Sequence, residues 1–556
     1  MNVTRSTMGG CAVAALLAAV PAAAQVAPDA APLPAPAASR ADRYVQPYIE
    51  LTQVVTADLV NGNDDVLTYS QVAAGIDAGV QTQRTQAQIS YRYERRIDWG
   101  SDVGDDDIHS GLARVGFNVT PALTLEAGAL ATRTRSDIRG AAPGNLAGNV
   151  DNISQVYSLY AGPSLSTSSG PVQINAGYLF GYTKAEAPTY QDSFFTPLDT
   201  FDESVNHLAQ ASIGVPAGRV APFGVTVSGA YERDDADQLD QSYEGWFARG
   251  DVTLPVSRTL ALRAGAGYEK IEAKQRDALV DGTGTPVTDE DGRFVTDQSS
   301  PARIAYDTDG LIYDAGVIWR PSPRLELQAN AGYRYGGETY FGSLNWAVSR
   351  NAALQVVVYD GIETFGRQLR DSLSDLPTAF VSQPDPFGQQ FNGCVFGQQG
   401  GTGAGAVGAG GCLNDVFQSL STATYRARGV DAVYSFGRGR STFGVGGGYA
   451  NRRLYAPDRP NGLSIDGLED QSAYANLFYS YNISRTAVFD ANLLGSWYAS
   501  GLPGSADVYG LGANASLSKN FGRLGTMASL GVFGFDDGTE DEVISAQALL
   551  GARYTF

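Results

Sequence analysis

Arg324–Gly337 reads RLELQANAGYRYGG, and its residues alternate strictly between two kinds. Side chains on an extended chain point to opposite faces in turn, so Leu325, Leu327, Ala329, Ala331, Tyr333 and Tyr335 share one side. Arg324, Glu326, Gln328, Asn330, Gly332 and Arg334 share the other. A helix would mix the two sets. The stretch alone fits two environments, a strand laid on a dry core or a strand with lipid on one face and water on the other.

The same alternation recurs along the chain. In QRTQAQISYRYERR, Ala87, Ile89, Tyr91 and Tyr93 oppose Gln86, Gln88, Ser90, Arg92 and Glu94. VQINAGYLFGY sets Val172, Ile174, Ala176, Tyr178, Phe180 and Tyr182 against Gln173, Asn175, Gly177 and Gly181. LALRAGAGYE and FDANLLGSWY repeat the pattern, and each apolar face ends in aromatic residues. A soluble core has no reason to gather Tyr, Phe and Trp at strand ends, whereas a bilayer interface does. The apolar faces are also rich in small residues such as Ala, too light to fill a sandwich core.

Composition narrows the class further. The chain has 556 residues, 66 Gly and 29 Tyr, only 2 His and 3 Cys, and a net charge of -20. Such an acidic chain without a Lys/Arg cluster is a poor nucleic-acid binder, and no nucleic-acid partner is expected. Residues 1–24 have the three-part logic of a secretory signal peptide, with Arg5, an apolar run from Cys11 to Val20, and Ala22-Ala23-Ala24 before the expected cleavage point. Residues 25–43 are Pro/Ala-rich and read as a periplasmic linker, leaving 44–556 for the folded body. No later apolar run approaches the roughly 18 to 20 residues of a membrane-spanning helix.

Connections supply a second test. Short links at Thr120-Pro121-Ala122, Ser322-Pro323-Arg324, Ser349-Arg350-Asn351, 437–440 and Phe521-Gly522-Arg523 alternate with long ones near 136–152, 184–203, 274–302, 366–420 and 456–471. Short periplasmic turns and long outer loops are the habit of outer-membrane barrels. The expected fold is therefore all-β, a single antiparallel up-and-down transmembrane barrel of about 22 strands, with a range of about 18 to 22. Its expected location is the outer membrane of a Gram-negative bacterium, among lipid and lipopolysaccharide.

The signal, the Pro/Ala linker, the run of Gly/Tyr-rich strands from Tyr44 and the terminal RYTF together resemble the porin-type outer-membrane barrels of Gram-negative bacteria, of the kind found beside exopolysaccharide or exosortase systems. The resemblance covers nearly the whole mature chain. It implies a conduit for hydrophilic solute or polymer, with exopolysaccharide export and a periplasmic polysaccharide-export component as one family role. The last strand, ISAQALLGARYTF, resembles the terminal strand by which the barrel-assembly machinery recognises its clients, which points to Tyr554 and Phe556. The chain does not resemble a TonB-dependent receptor, because the linker leaves no room for their plug domain.

By parity, Arg84, Arg92, Glu94, Arg96, Glu126, Arg263, Glu269, Arg324, Glu326 and Arg334 are pore-lining candidates. They read either as a ladder that orients charged or sugar-like solutes or as mutual salt bridges bracing the wall, and both readings can hold together. Cys394 and Cys412, in an oxidising compartment and joined by a Gly-rich span, are expected to form a disulfide. Their long loop reads equally well as a constriction folded into the mouth or as a stapled surface loop. Acidic runs at 105–107, 234–240, 289–291 and 536–542 read as solvated outer loops, without full calcium-loop spacing. Only His109 and His207 offer the usual acid–base side chain, each at a strand end, so no catalytic residue, cofactor or metal site is expected. A structural or adhesive barrel with a filled lumen is the alternative to the conduit, and an outer-membrane enzyme is a weaker third reading.

Overall fold

The computed structural model describes residues 42–60, 66–99, 106–136, 153–186, 199–382, 386–387, 394–397, 410–413, 420–457, 465–502, 504–536, 538 and 542–556. The signal and most of the linker, 1–41, lie outside the described residues. The strands run β1 (Asp42–Val60), β2 (Val66–Gln81), β3 (Thr85–Asp98), β4 (Asp106–Asn118), β5 (Leu123–Arg135), β6 (Ile153–Ser169), β7 (Val172–Ala185) and β8 (Glu203–Val215). Next come β9 (Gly224–Ala236), β10 (Gln241–Pro255), β11 (Leu260–Gln275), β12 (Arg303–Ser322), β13 (Leu325–Arg334), β14 (Gly337–Ser349) and β15 (Ala352–Glu363). A helix, α1 (Phe365–Asp375), and three short strands, β16 (Phe380–Ser382), β17 (Cys394–Gly397) and β18 (Gly410–Cys412), follow. The chain ends with β19 (Thr424–Arg438), β20 (Ser441–Tyr455), β21 (Glu469–Asn482), β22 (Ala487–Ala499), β23 (Val508–Phe521), β24 (Leu524–Asp536) and β25 (Val543–Thr555).

Twenty-two of these strands form one antiparallel sheet in which each pairs with its sequence neighbours. β15 pairs directly with β19, so the segment between them is an insert that leaves the ring unbroken. β25 pairs with β1 from Tyr48↔Thr555 onward, and the terminal Phe556 N–H donates to Pro47 O at 3.0 Å. That last pairing closes the sheet into a barrel and removes both edges, the condition for placing strands in hydrocarbon where no water can satisfy the backbone.

Alternation then decides what each face meets. Along β25, Ser545, Gln547 and Leu549 are buried inside while Leu550 is 69% exposed outside. Leu51, Ile213, Val227, Leu262, Leu511 and Leu530 are likewise exposed on the outer face. Around this aliphatic band stand two rows of exposed aromatics. Tyr231, Trp246, Tyr268, Tyr313 and Tyr333 lie toward the long loops, and Phe117, Trp319, Trp346, Phe521 and Tyr554 lie toward the short turns. Aromatic girdles flanking an apolar band mark the two interfaces of a bilayer.

The opening stretch becomes β13 with the expected faces from Leu325 to Arg334, except at its end. Tyr335, expected on the apolar outer face, is buried inside at 6% exposure and has φ 56°. With Gly336 at φ 72° it forms a two-residue turn into β14. Both central positions take positive φ, the hairpin geometry that matches strand twist, and the alternation ends where that turn begins.

Candidate functional site

The wall of the lumen carries charge, and most of it is paired. Arg92 lies between Glu50 at 3.0 Å and Glu94 at 2.6 Å, and Arg96 meets Glu94 at 2.9 Å. On the far side Arg249 meets Asp251 at 2.7 Å and Asp314 at 2.5 Å, with Arg263 on Asp251 at 3.1 Å. Arg334 holds Glu269 at 2.6 Å, and Glu269 also accepts the Tyr335 N–H at 3.2 Å. Arg320 holds Glu326 at 2.8 Å. Glu126 stands half-buried on β5, level with Gly116 and Gly162. Arg84 and Arg324, expected on the wall, lie instead in the turns at 82–84 and 323–324, where the chain reverses and parity no longer applies. Pairing of this density, within strands at Arg92–Glu94, Arg96–Glu94 and Arg249–Asp251 and between strands elsewhere, compensates most of the charge on the wall.

The insert lies within this wall. Helix α1 packs Phe365, Leu369 and Leu373, spaced i, i+4 and i+8, onto one stripe. That stripe joins Leu112, Leu130, Val156 and Tyr160 of β4–β6 in a buried cluster inside the barrel. Its polar side carries Arg367 and Arg370, both fully buried. Both guanidiniums bind Glu232 of β9, Arg370 at 2.5 Å, and Arg370 also donates to Asn206 Oδ1 at 3.0 Å. The Arg367 guanidinium sits 3.7 Å from the centre of the Tyr243 ring. At the helix start Thr364 Oγ1 donates to Asp234 Oδ2 at 2.5 Å. At its end Arg114 of β4 donates to the carbonyls of Leu373 and Ser374, each at 3.0 Å, and to that of Leu376. A cation on the last carbonyls complements the helix dipole.

Beyond α1 the insert keeps contact with the wall. Gln88 of β3 donates to Phe380 O at 2.7 Å and accepts the Phe380 N–H at 3.0 Å, so one amide side chain closes both backbone groups. Phe387 packs on Phe533, Val54 and Leu549, and Phe396 lies 4.5 Å, centre to centre, from Phe478. Cys394 and Cys412 are register partners across β17 and β18 and are joined by a disulfide. The bridge rests on Gly446 of β20, where a Cβ would lie 2.8 Å from Cys412 Sγ and 3.1 Å from Cys394 Sγ. Gly444, two residues earlier on the same inward face, leaves the space taken by the rings of Phe396 and Phe478. The described parts of the long loop therefore lie against the inner face of the wall, on the side of the constriction reading of the two its sequence left open.

Sequence reasoning missed the anchor of this constriction. Asp234 was expected in a solvated outer loop, yet it is 2% exposed and holds Thr364, because β9 continues inward-facing as far as Ala236. The period-two rule applied to AYERDDA would have placed Glu232 and Asp234 inside, with Tyr231 and Arg233 outside. Both histidines occupy the outer face among aromatics. Tyr91 OH lies 2.7 Å from His109 Nδ1, and Tyr178 OH 2.7 Å from His207 Nδ1. Ser110, next to His109, is buried on the opposite face.

Below the insert, between Pro386 and the turn at 522–523, the barrel holds a cavity of about 350 Å³ lined by β1, β3 and β22–β25. Among the described residues no group of three or more His, Cys, Asp and Glu is arranged to hold a metal ion. A closed ring with an apolar girdled exterior, a charged interior and a folded insert defines an outer-membrane β-barrel with an occupied lumen. No protein-family model matches the sequence, and no curated protein does. Among solved structures the chain is similar to the ferric-catecholate import receptor Fiu from E. coli K12, at TM-score 0.43 and 12% identity over 94% of this chain and 82% of that one. It is also similar to the FrpB iron transporter from Neisseria meningitidis, at TM-score 0.40 and 10% identity over 92% and 82%. The ferric citrate transporter FecA aligns at TM-score 0.41 and 9% identity over 92% and 78%.

Proposed function

We propose that this protein is a gated conduit for hydrophilic solutes across the outer membrane, with its own 364–423 insert as the restriction. The observation that carries the reading is the combination of a polar, cross-paired wall with a folded segment that grips it through Arg367 and Arg370 on Glu232. A wetted polar wall lowers the cost of crossing the apolar slab, and the fixed charges set the preference among solutes. The ten sequence candidates divide accordingly into wall residues that set the local field and two turn residues, Arg84 and Arg324, at the short-turn mouth. The short turns face the periplasm and the long loops face outward, amid lipopolysaccharide. Tyr554 and Phe556 form the signal read by the barrel-assembly machinery.

Export of a polymer such as exopolysaccharide, with a periplasmic export component as partner, requires the insert to leave the lumen, since a disulfide-stapled segment lies in the path. Planar-bilayer recording tests the conduit. The intact protein is expected to give small, intermittent conductance, and the Arg367→Ala/Arg370→Ala variant a several-fold larger and steadier one. Silence from both favours a second reading, a sealed structural or adhesive barrel, which the apolar cluster around Phe365 and Leu369 supports.

A further inference from the structure

We propose that the 350 Å³ cavity at the short-turn end is a binding site for a neutral, hydroxyl-rich solute of mono- or disaccharide size. The proposal rests on the conduit reading and gives it a solute class. The volume is at the lower end of small-molecule sites, which span roughly 300 to 1,000 Å³. Six inward side chains of the lining, Gln46, Asn492, Ser516, Ser518, Asn520 and Thr555, are amides or hydroxyls. Each offers both a donor and an acceptor, the mixed capacity that vicinal hydroxyls require.

Charge argues against an anion. The two lining cations are already engaged, Arg92 by Glu50 and Glu94, and Arg553 by Asp77 at 2.7 Å. Asp490, the remaining lining carboxylate, meets no cation within ion-pair distance among the described residues. An incoming carboxylate or phosphate would find no free partner and one repulsive neighbour, whereas hydroxyls can donate to Asp490 without bringing charge.

Two buried polar atoms near the site lack partners within the described residues. Arg92 is 6% exposed, and its Nε has no hydrogen-bond partner. Asn492 donates through Nδ2 to Asn514 at 3.0 Å and leaves its own Oδ1 unpartnered. Both atoms are shielded from a molecule the size of water, so a solute contacts the exposed hydroxyls and amides of the lining and not these two. Pro386 of the insert lines the cavity together with residues near the short turns, such as Asn520, Gly525 and Thr555.

The test is calorimetric titration of the full-length protein, folded in an amine-oxide detergent that contributes no sugar, with sucrose, glucuronate and glucosamine as probes. Saturable one-to-one binding of sucrose is expected, with glucuronate and glucosamine at least tenfold weaker. Asn492→Leu and Ser518→Leu are each expected to weaken sucrose at least tenfold while keeping the compact unheated gel band of the folded barrel. No saturable sucrose binding, equal or tighter binding of either charged sugar, or a less than tenfold loss in both folded variants overturns the site. Conductance of the same preparation separates the two readings. Conductance without binding removes the site and leaves the conduit, binding without conductance removes the conduit, and loss of both removes both.

Discussion

At the scale of single residues, Glu232 decides whether the insert stays in place. It is the shared partner of two fully buried guanidiniums, and removing it leaves Arg370 with Asp371 at 2.7 Å and Arg367 only with Glu363 at 3.7 Å. Breaking a buried ion pair from one side costs about 3–5 kcal/mol, while replacing the whole set with apolar groups is often neutral. Glu232→Ala is therefore expected to release the insert, seen as faster proteolysis within 364–423 and larger bilayer conductance. The variant Glu232→Ala/Arg367→Leu/Arg370→Leu/Glu363→Gln/Asp371→Asn, which neutralises the whole ionic set, is expected to recover much of the protection. A neutralised variant that is cleaved faster than the single one would show that charge pairing is not what the single substitution removed. Parity alone makes Glu232 legible as an inward residue. Its partners are not legible in the same way, because Arg367 and Arg370 belong to a helix in a segment read only as a long loop, and no local pattern says which wall that helix meets.

Among the elements, the strands were readable because hydrocarbon on one face and water on the other leave every position a definite side. The opening stretch follows that rule to Arg334 and fails at Tyr335, where a turn conformation overrides periodicity. Loops have no such two-sided environment, and the fold of 276–302 could not be read from its acidic composition. It is a ladder of three carboxylate-centred turns. Asp281 accepts the N–H groups of Thr283 at 2.8 Å and Thr285 at 3.0 Å, Asp289 those of Asp291 and Arg293, both at 2.9 Å, and Asp297 that of Ser299 at 2.8 Å. Hydrogen bonds from the Thr283 hydroxyl and neighbouring backbone hold the Asp281 carboxyl below its ordinary value, and the Ser299 hydroxyl does the same for Asp297. A carboxylate depressed in the folded state contributes stability above its unfolded pKa of about 3.9 and loses it as pH falls through the folded value. The loop is thus expected to keep its protection against proteolysis from pH 8 to about pH 5 and to lose it below about pH 4. Carboxyl NMR titration checks this directly, since midpoints for Asp281 and Asp297 at or above the ordinary aspartate value would mean that the turns are not formed.

For the whole molecule, the closed ring makes one demand on sequence, that the outer face of every strand tolerate lipid. This is why the architecture was readable from end to end while the contents of the lumen were not. Lipid selects against charge at each outward position separately, but the interior accepts any set of side chains that satisfies itself, whether a water-lined channel or a packed helix. The asymmetry predicts how substitutions behave. Leu530 lies midway along β24 and is 68% exposed on the outer face, so Leu530→Arg places a guanidinium near the bilayer centre. The cost there is about 2–4 kcal/mol. Ser518 of β23 points inward to the cavity, and Ser518→Arg places the same group in a wetted space among Asp490 and Glu50. Reversible urea unfolding from lipid vesicles, followed by Trp fluorescence, is expected to show the full loss for Leu530→Arg and less than about 1 kcal/mol for Ser518→Arg. Equal losses at the two sites would mean that Leu530 and Ser518 do not face different solvents, and the barrel would then have to be turned inside out or taken out of the membrane altogether.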